Sequence, residues 1–179
     1  MTTLEIEIAI LRHYKFHQNL IVPNVTCVSG LVLFEADMLM LSKSGYATCF
    51  EIKTHKSDLM NDSKKEHIKN RFRTLKHSVG TIDKFKTLKN FIYVVPVELK
   101  NVALAVIPEF AGLVVAAKHP ESYDPERVYL TETRKPKTLN NYKWSEEERY
   151  NLARIAAMRI YNLKRRIHAQ TQTPKNKKT

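Results

Sequence analysis

The 179-residue sequence has too few cysteines for a disulfide-stapled protein and no apolar run long enough for a membrane helix. Its two cysteines, Cys27 and Cys49, are 22 residues apart and have no companion Cys or His at zinc-site spacing. We predict that both are buried thiols. The longest apolar runs, such as 111–117, fall far short of the roughly 18 residues that a membrane span needs. Because no basic region followed by an apolar stretch opens the sequence, we expect a cytoplasmic protein that is neither secreted nor embedded in a membrane.

Acidic residues are scarce relative to basic ones, and the basic excess is concentrated in two blocks. Lys and Arg number 30 and Asp and Glu 18, which gives a net charge of +12. Residues 1–52 and 101–133 have net charges of −2 and −3, whereas residues 53–100 and 134–179 have net charges of +7 and +10. Positive charge gathered in blocks is typical of a surface that binds a polyanion, which points to nucleic acid.

The apolar pattern predicts an α/β fold, a sandwich with a central mixed sheet. With 43% apolar residues over 179 positions, the chain suits a single globular domain. We predict one domain over 1–168, with a core at about 4–131, a long C-terminal helix at about 145–168 and a disordered basic tail over 169–179. The other predicted elements are strands at 21–28, 31–41, 46–53, 91–95, 113–116 and 128–130, and helices that begin near Ser57 and span 99–107.

The first and last helices carry predictions about burial. Helical spacing predicts a first helix over 3–17, with Leu4, Ile8 and Leu11 as its core-facing stripe. The last helix begins with a capping box, because Ser145 and Glu148 are three residues apart. Its expected buried stripe consists of Leu152, Ile155, Ile160 (or Ala156), Leu163 and Ile167.

A predicted hairpin with a carboxylate on each strand is the feature that suggests chemistry. Residues 42–45 (SKSG) are a turn signal, because glycine takes the positive φ that a tight hairpin loop needs. If the turn is centred on position 44, residues whose numbers sum to 88 face each other, which places Asp37 opposite Glu51. Lys53 shares their face because strand side chains alternate, whereas a bulge in the turn would shift the register by one residue. The opposite, core-facing side carries Phe50 and Ile52.

Two carboxylates this close favour a bound cation, because like charges repel. A hard divalent ion such as Mg²⁺ suits oxygen ligands from Asp37, Glu51 and the backbone carbonyl of Ile52. The ion would stabilise charge on a phosphoryl group and help activate a water. Lys53 would orient that water or act as the base. The alternative is that Asp37, Glu51 and Lys53 form a salt-bridge ladder on an exposed sheet face.

The Glu-x-Lys spacing by itself carries no weight. With 13 Glu and 20 Lys, chance gives roughly one to two such triplets. Glu98-Leu99-Lys100 is a second one. We reject it as a site because it follows Pro96 and has no aspartate on a matching hairpin.

A longer stretch of sequence resembles the PD-(D/E)xK nuclease superfamily, and within it the MmcB-type DNA-repair proteins and related phage or mobile-element proteins. A helix with an acidic residue, a strand with Asp37, a hairpin partner with Glu51-Ile52-Lys53 and a basic helix follow one another in that order. The resemblance covers roughly residues 4–117. It departs from the superfamily at Ala36, where proline is common but not required. The matching segments are IVPNV at 21–25, EADML at 35–39, SGY at 44–46, KSDL at 56–59, YVVP at 93–96 and AGLVV at 111–115.

The resemblance implies a restriction-endonuclease-like fold and metal-dependent hydrolysis of phosphodiester bonds, with Mg²⁺ or Mn²⁺ as cofactor. Asp37 and Glu51 match the metal-binding acids, and Lys53 matches the catalytic lysine. For the acid of the first helix we choose Glu7, because it borders the predicted core-facing stripe. Glu5 is the alternative.

The leading hypothesis is a metal-dependent DNA nuclease of repair, recombination or phage and mobile-element DNA processing. The alternatives are a non-catalytic DNA-binding subunit with the same fold and a structural or partner-binding α/β protein. No recognition helix or aromatic stacking platform is evident, so we expect backbone contacts with little sequence specificity. A homodimer is one of the expected oligomeric states, since many duplex-cutting enzymes of this fold act as pairs of subunits. The residues predicted to contact nucleic acid are Lys56, Lys64, Lys65, His67, Lys69, Arg71 and Arg73.

Overall fold

The computed structural model describes residues 1–26, 35–64, 85–119, 124 and 127–172. Within these ranges the chain forms a six-stranded sheet whose strands lie in sequence order: β1 (Leu20–Val25), β2 (Ala36–Leu41), β3 (Ala47–Ile52), β4 (Asn90–Pro96), β5 (Gly112–Lys118) and β6 (Val128–Arg134). The strands β1, β2 and β3 form an antiparallel meander. The strands β3, β4 and β5 run parallel, and β6 pairs antiparallel with β5. The sheet is therefore mixed, as predicted.

Helices lie between and beyond the strands. Two of them belong to the crossover connections that parallel strand pairs require. None of the helices in the described ranges combines the length and apolarity needed to cross a membrane. The helices are α1 (Thr3–His13), α2 (Lys56–Lys64), α3 (Lys100–Val106, after a 3₁₀ turn at Val97–Leu99) and α4 (Glu146–Gln172).

Apolar clusters cover both faces of the sheet. One cluster joins Leu39 and Cys49 of the hairpin to Leu59 of α2 and to Trp144, just before α4. Cys49 is thus buried, as expected, whereas Cys27 lies outside the described residues. The other cluster packs under α1 and includes Ile6, Ile10, Met38, Phe50, Ile52 and Val94. Helices on both faces of a mixed sheet, with a long helix at the C-terminus, confirm the predicted α/β sandwich.

The stripe that α1 turns toward the sheet is not the predicted one. Leu4 is 64% exposed and Ile8 is 39% exposed, so the expected stripe is wrong at these two positions, whereas Leu11 is partly buried against the cluster under α1. The helix carries apolar residues on two sides, and periodicity does not choose between them. A small alanine between two isoleucines lets the helix pack closely on the sheet, which favours the other side. The buried residues of α1 are Ile6, Ala9 and Ile10.

The helix α1 also ends at His13, earlier than the predicted position 17. Lys15 has a φ of 54°, a left-handed conformation that does not continue an α-helix. The side-chain amide of Asn19 donates to the carbonyl of Tyr14 at 2.8 Å, which satisfies one acceptor of the helix end.

The start of α4 matches the prediction, but its second half does not. The backbone N–H of Ser145 donates to the Glu148 carboxylate at 2.7 Å, and the Glu148 N–H donates to the Ser145 hydroxyl at 3.2 Å, which is a capping box. Leu152 is fully buried, but Ile160 and Leu163 are more than half exposed, as is Ile167. The predicted buried stripe is therefore wrong beyond its first turns, because the helix is longer than the surface it packs on.

The helix also continues beyond its predicted end. It extends to Gln172, so residues 169–172 of the predicted disordered tail are helical. The first helix-breaking residue in that part of the sequence is Pro174, which explains why the helix does not stop at 168. Residues 173–179 lie outside the described ranges.

Candidate active site at the end of the first hairpin

The hairpin of β2 and β3 has the register that the sequence predicts. The paired residues run from Met38 opposite Phe50 to Leu41 opposite Ala47, so the numbers of each pair sum to 88. Gly45 has a φ of 89°, which only glycine adopts without strain. No register shift interrupts the described β2–β3 ladder. Extending the same register by one residue brings Asp37 opposite Glu51.

Asp37 is tied to the opposite strand by a backbone contact. Its carboxylate accepts a hydrogen bond from the N–H of Ile52 at 2.7 Å. A charged acceptor makes this a strong hydrogen bond. The contact fixes the carboxylate at the point where β2 begins and β3 ends, close to the Ile52 peptide whose carbonyl the sequence predicts as a metal ligand.

Glu51 and Lys53 form an ion pair near this point. The Lys53 ammonium lies 2.7 Å from a Glu51 carboxylate oxygen, and the two side chains are only 14% and 17% exposed. The backbone N–H of Lys53 donates to the carbonyl of Val94 at 3.0 Å, so β4 holds the lysine's backbone in place. The pair is therefore mostly buried. The salt-bridge alternative had placed it on an exposed sheet face.

Of the two acids proposed on α1, Glu7 interacts with Asp37 of the site, whereas Glu5 interacts with Thr2 and Lys118. Burial raises the pKa of Glu7, and the negative charge of Asp37 raises it further, so these two carboxylates are close enough to interact. Glu5 closes a capping box with Thr2 and pairs with Lys118 at 3.0 Å. Hydrogen bonds from Thr2 and Lys118 lower the pKa of Glu5 to about 2. The interaction with Asp37 favours Glu7 over Glu5 as the acid of α1, although the stripe from which we chose it is wrong at Leu4 and Ile8.

Asn24 is a neighbour of the site that the sequence did not suggest. The pairs Pro23–Met38 and Val25–Ala36 flank it, which puts it beside Asp37 in the β1–β2 ladder. It has a φ of 53°, a conformation that asparagine tolerates better than most residues. Its carbonyl accepts a hydrogen bond from the Arg159 guanidinium of α4. The only local signal for this position was an asparagine inside a strand pattern. The contact with Arg159 could not be predicted, because the two residues are far apart in the sequence.

The donor atoms gathered here fit a hard divalent cation. Within the described ranges, no group of three or more Asp, Glu, His or Cys side chains stands ready to hold a metal. Mg²⁺ does not require such a cage, because proteins commonly hold it through one or two carboxylates together with waters and substrate phosphates. Asp37 and Glu51, with the Ile52 carbonyl, meet that requirement. Burial is the larger cause of the raised pKa of Glu7, and the negative charge of Asp37 adds to it, so a cation here would offset that repulsion.

The basic residues predicted to contact nucleic acid are only partly within the described ranges. The helix α2 begins four residues after β3 ends, and its first residue, Lys56, is exposed. Lys64 is the last residue of α2. Leu59 is fully buried in the apolar cluster that joins α2 to the sheet. The predicted contacts Lys65, His67, Lys69, Arg71 and Arg73 lie outside the described residues.

The second Glu-x-Lys triplet has a different structure. Glu98 lies on the 3₁₀ turn and Lys100 at the start of α3, and both side chains are exposed. They share no strand and no buried carboxylate partner among the described residues. The triplet is therefore a matched control for experiments on Glu51 and Lys53.

Comparison with known proteins supports the fold alone. No protein-family model matches the chain, and no curated protein matches it. A solved structure of a protein of unknown function from Silicibacter pomeroyi, SPO1766, is similar, with a TM-score of 0.54. The two chains are 14% identical, and the similarity covers 94% of this chain and 92% of the other. The resemblance to PD-(D/E)xK nucleases stays a prediction.

Proposed function

We propose that this chain is a cytoplasmic, Mg²⁺- or Mn²⁺-dependent nuclease that hydrolyses DNA phosphodiester bonds. DNA repair, recombination and the processing of phage or mobile-element DNA are the processes in which such an activity would serve. The observation that carries the proposal is the hairpin, whose register places Asp37 opposite Glu51, together with the ion pair that Glu51 forms with Lys53. The proposal joins this geometry to the sequence resemblance.

The electrostatics of the site agree with a metal-dependent reaction. Asp37 lies opposite Glu51 in the hairpin register, Glu51 pairs with Lys53, and Glu7 is close enough to Asp37 for their charges to interact. The three acids belong to residues 1–52, whose net charge is −2. Burying carboxylates is unfavourable unless a positive charge compensates them. Lys53 supplies one positive charge, and a divalent ion would supply the rest. Repulsion between acids is tolerated at functional sites more often than in structural cores.

Each residue has a definite role in this proposal. Asp37 and Glu51 would hold the ion, and the hydrogen bond from the Ile52 N–H keeps the Asp37 carboxylate in position. The bound ion would stabilise charge on the phosphoryl oxygens and lower the pKa of a water. Lys53 orients the attacking water or takes its proton, and its distance of 2.7 Å from Glu51 keeps its ammonium beside the ion's ligands. Glu7, on α1, adds a third carboxylate close to Asp37.

The charge distribution suits DNA as the substrate. The basic block at 53–100, with a net charge of +7, starts directly after β3 and includes Lys56. Cations next to an acidic cation site would hold the phosphates on either side of the scissile bond. Backbone binding of this kind is independent of sequence and weakens steeply with salt.

The test is cleavage of supercoiled and linear DNA in Mg²⁺ or Mn²⁺ by the wild type and by variants of the site. We expect Asp37→Ala and Lys53→Met to lose cleavage by about 100-fold or more. Asp37→Asn, which keeps the size of the side chain, should lose as much. Circular dichroism melting shows whether each variant is folded.

The matched controls come from the exposed triplet. Glu98→Ala and Lys100→Met make the same changes of charge in a Glu-x-Lys that lies on a turn and a helix start. Both should cleave like the wild type. Cleavage that survives Asp37→Asn and Lys53→Met would refute the site, because a contaminating nuclease ignores these substitutions.

One observation also favours a non-catalytic DNA-binding subunit with the same fold. The Glu51 carboxylate and the Lys53 ammonium form an ion pair with each other, as they would if their role were purely structural. This second candidate predicts DNA binding that is independent of Mg²⁺, and no cleavage under any metal. Measuring DNA binding alongside DNA cleavage in the assay above distinguishes the nuclease from the non-catalytic subunit.

A further inference from the structure

Two lysines converge on one tyrosine ring at the turn end of the first hairpin. The ammonium of Lys89 lies 3.9 Å from the centroid of the Tyr46 ring, and that of Lys143 lies 5.4 Å from it. The two ammonium groups are therefore within about 9 Å of each other, a separation at which their charges still interact. A ring face attracts cations but does not neutralise them.

Two acidic residues that follow Lys143 closely in sequence, Glu146 and Glu148, have other partners. Among the described residues, neither Lys89 nor Lys143 forms an ion pair. Glu146, which follows closely in sequence, pairs with Arg149 at 3.3 Å. Glu148 accepts hydrogen bonds from the Ser145 N–H and the Tyr142 hydroxyl. The cluster of positive charge therefore remains uncompensated by the described protein groups.

The backbone holds both lysines at this place. The N–H of Lys89 donates to the carbonyl of Ala47 at 2.8 Å, at the start of β3. Lys143 directly precedes Trp144, which is 2% exposed and donates its backbone N–H to the carbonyl of Gly45 at 3.0 Å. The Trp144 indole N–H also donates to the carbonyl of Thr87 at 2.8 Å. Hydrogen bonds thus join three chain segments next to the two lysines. The backbones of both lysines are held in place before any ligand binds.

We propose that Tyr46, Lys89 and Lys143 form a binding surface for the phosphate groups of a nucleic-acid backbone. We call it the Tyr46 surface. Lys143 is exposed, and so is Lys43, which lies in the same hairpin turn. Lys89 is half-buried, so the surface is open on the side of Lys143 and not enclosed. Several cations on an open surface suit an extended polyanion better than a single enclosed phosphate.

The Tyr46 surface is separate from the candidate active site. Tyr46 precedes β3, whereas Glu51 lies five residues further along it. At about 3.3 Å per residue, the strand puts about 17 Å between them. A nucleic acid that contacts both places must therefore be longer than a few nucleotides. The Tyr46 surface would bind nucleic acid whether or not the carboxylates cut it, so this inference does not depend on the proposed catalysis.

The test is the salt dependence of binding to a fluorescent DNA duplex, measured by anisotropy in EDTA so that no cleavage occurs. Each lost phosphate contact lowers the slope of log K against log salt by about 0.9 for duplex DNA. The double variant Lys89→Gln and Lys143→Gln should therefore lower the slope by up to about 1.8. Over a fourfold increase in salt, the wild-type affinity should fall about twelvefold more than that of the variant.

The matched control removes the same charge elsewhere. Lys100→Gln with Lys137→Gln changes two exposed lysines, of which Lys137 pairs with Glu109 at 3.3 Å. This control should keep the wild-type slope. An equal loss in the control, or an unchanged slope in the Lys89 and Lys143 variant, would overturn the proposal.

A competition experiment separates a nucleic-acid backbone from a small phosphate ligand. Inorganic phosphate and chloride at matched ionic strength should displace the duplex equally. Displacement by low millimolar phosphate, beyond the chloride effect and lost in the double variant, would assign a small phosphate ligand and overturn the nucleic-acid assignment. Both binding experiments are done in EDTA. A loss of DNA binding in them can therefore be distinguished from a loss of metal-dependent cleavage.

Discussion

Removing the lysine from the Glu51–Lys53 pair should destabilise the protein much more than removing an exposed lysine. The substitution Lys53→Met keeps the length of the side chain and deletes its charge. The ammonium lies 2.7 Å from the carboxylate, and both side chains are more than four-fifths buried. Breaking such a pair leaves Glu51 as a buried charge without the partner it has in the wild type.

The magnitude follows from the degree of burial. Breaking a fully buried ion pair costs about 3–5 kcal/mol. Since the side chains retain exposures of 14% and 17%, water reduces this penalty, and we expect a loss of about 2–3 kcal/mol at pH 7. For a chain of this size the melting temperature should fall by about 4–12 °C.

The assay is urea unfolding followed by circular dichroism at pH 7, with Lys100→Met as the control. Lys100 is exposed, so its substitution should change the free energy of unfolding by less than about 0.5 kcal/mol. The double variant Glu51→Gln and Lys53→Met should recover most of the lost stability, because it removes both charges. If Lys53→Met and Lys100→Met prove equally mild, the buried pair described here is not the structure in solution.

Two further substitutions test the acid on α1 and the hairpin turn. Burial and the charge of Asp37 raise the pKa of Glu7, so the native state binds a proton on Glu7 more tightly than the unfolded chain does. The stability of the protein therefore falls as pH rises from the pKa of Glu7 in the unfolded chain to its pKa in the native state. Glu7→Gln should therefore be more stable than the wild type at pH 7 by less than about 1 kcal/mol, with the gain vanishing near pH 4, as thermal melts across pH would show. Gly45→Ala should lose at least about 1 kcal/mol, because its φ is 89° and a Cβ there would meet the guanidinium of Arg149. A melting temperature equal to that of the wild type would contradict the hairpin turn described here.

The hairpin was predictable because its determinants are local. One glycine at a turn position and the alternation of strand side chains were enough to place Asp37 opposite Glu51. The same locality explains the success of the capping box at Ser145, whose two partners are three residues apart.

Other features were not predictable because they depend on which surface lies opposite. The helix α1 has apolar residues on two sides, and only the sheet decides that Ile6 is buried and Leu4 exposed. The contact between Arg159 and Asn24 joins residues that are 135 positions apart. The placement of Lys89 and Lys143 over Tyr46 likewise needs three chain segments to meet.

The chemistry is the part that the fold does not decide. A mixed sheet with helices on both faces hosts many unrelated functions, so an activity must be argued from the site. Here the site consists of carboxylates with a defined register, one buried lysine and a raised Glu7 pKa. These features predict a metal-binding centre, and the metal is therefore the quantity to measure.

Titration calorimetry with Mn²⁺ tests the central claim most directly. The wild type should bind one ion per chain, and Asp37→Ala should bind none at the same concentrations. Glu98→Ala, which removes an exposed carboxylate on a turn, should bind like the wild type. Absence of binding to the folded wild type, or equal binding by Asp37→Ala, would contradict the proposed metal centre.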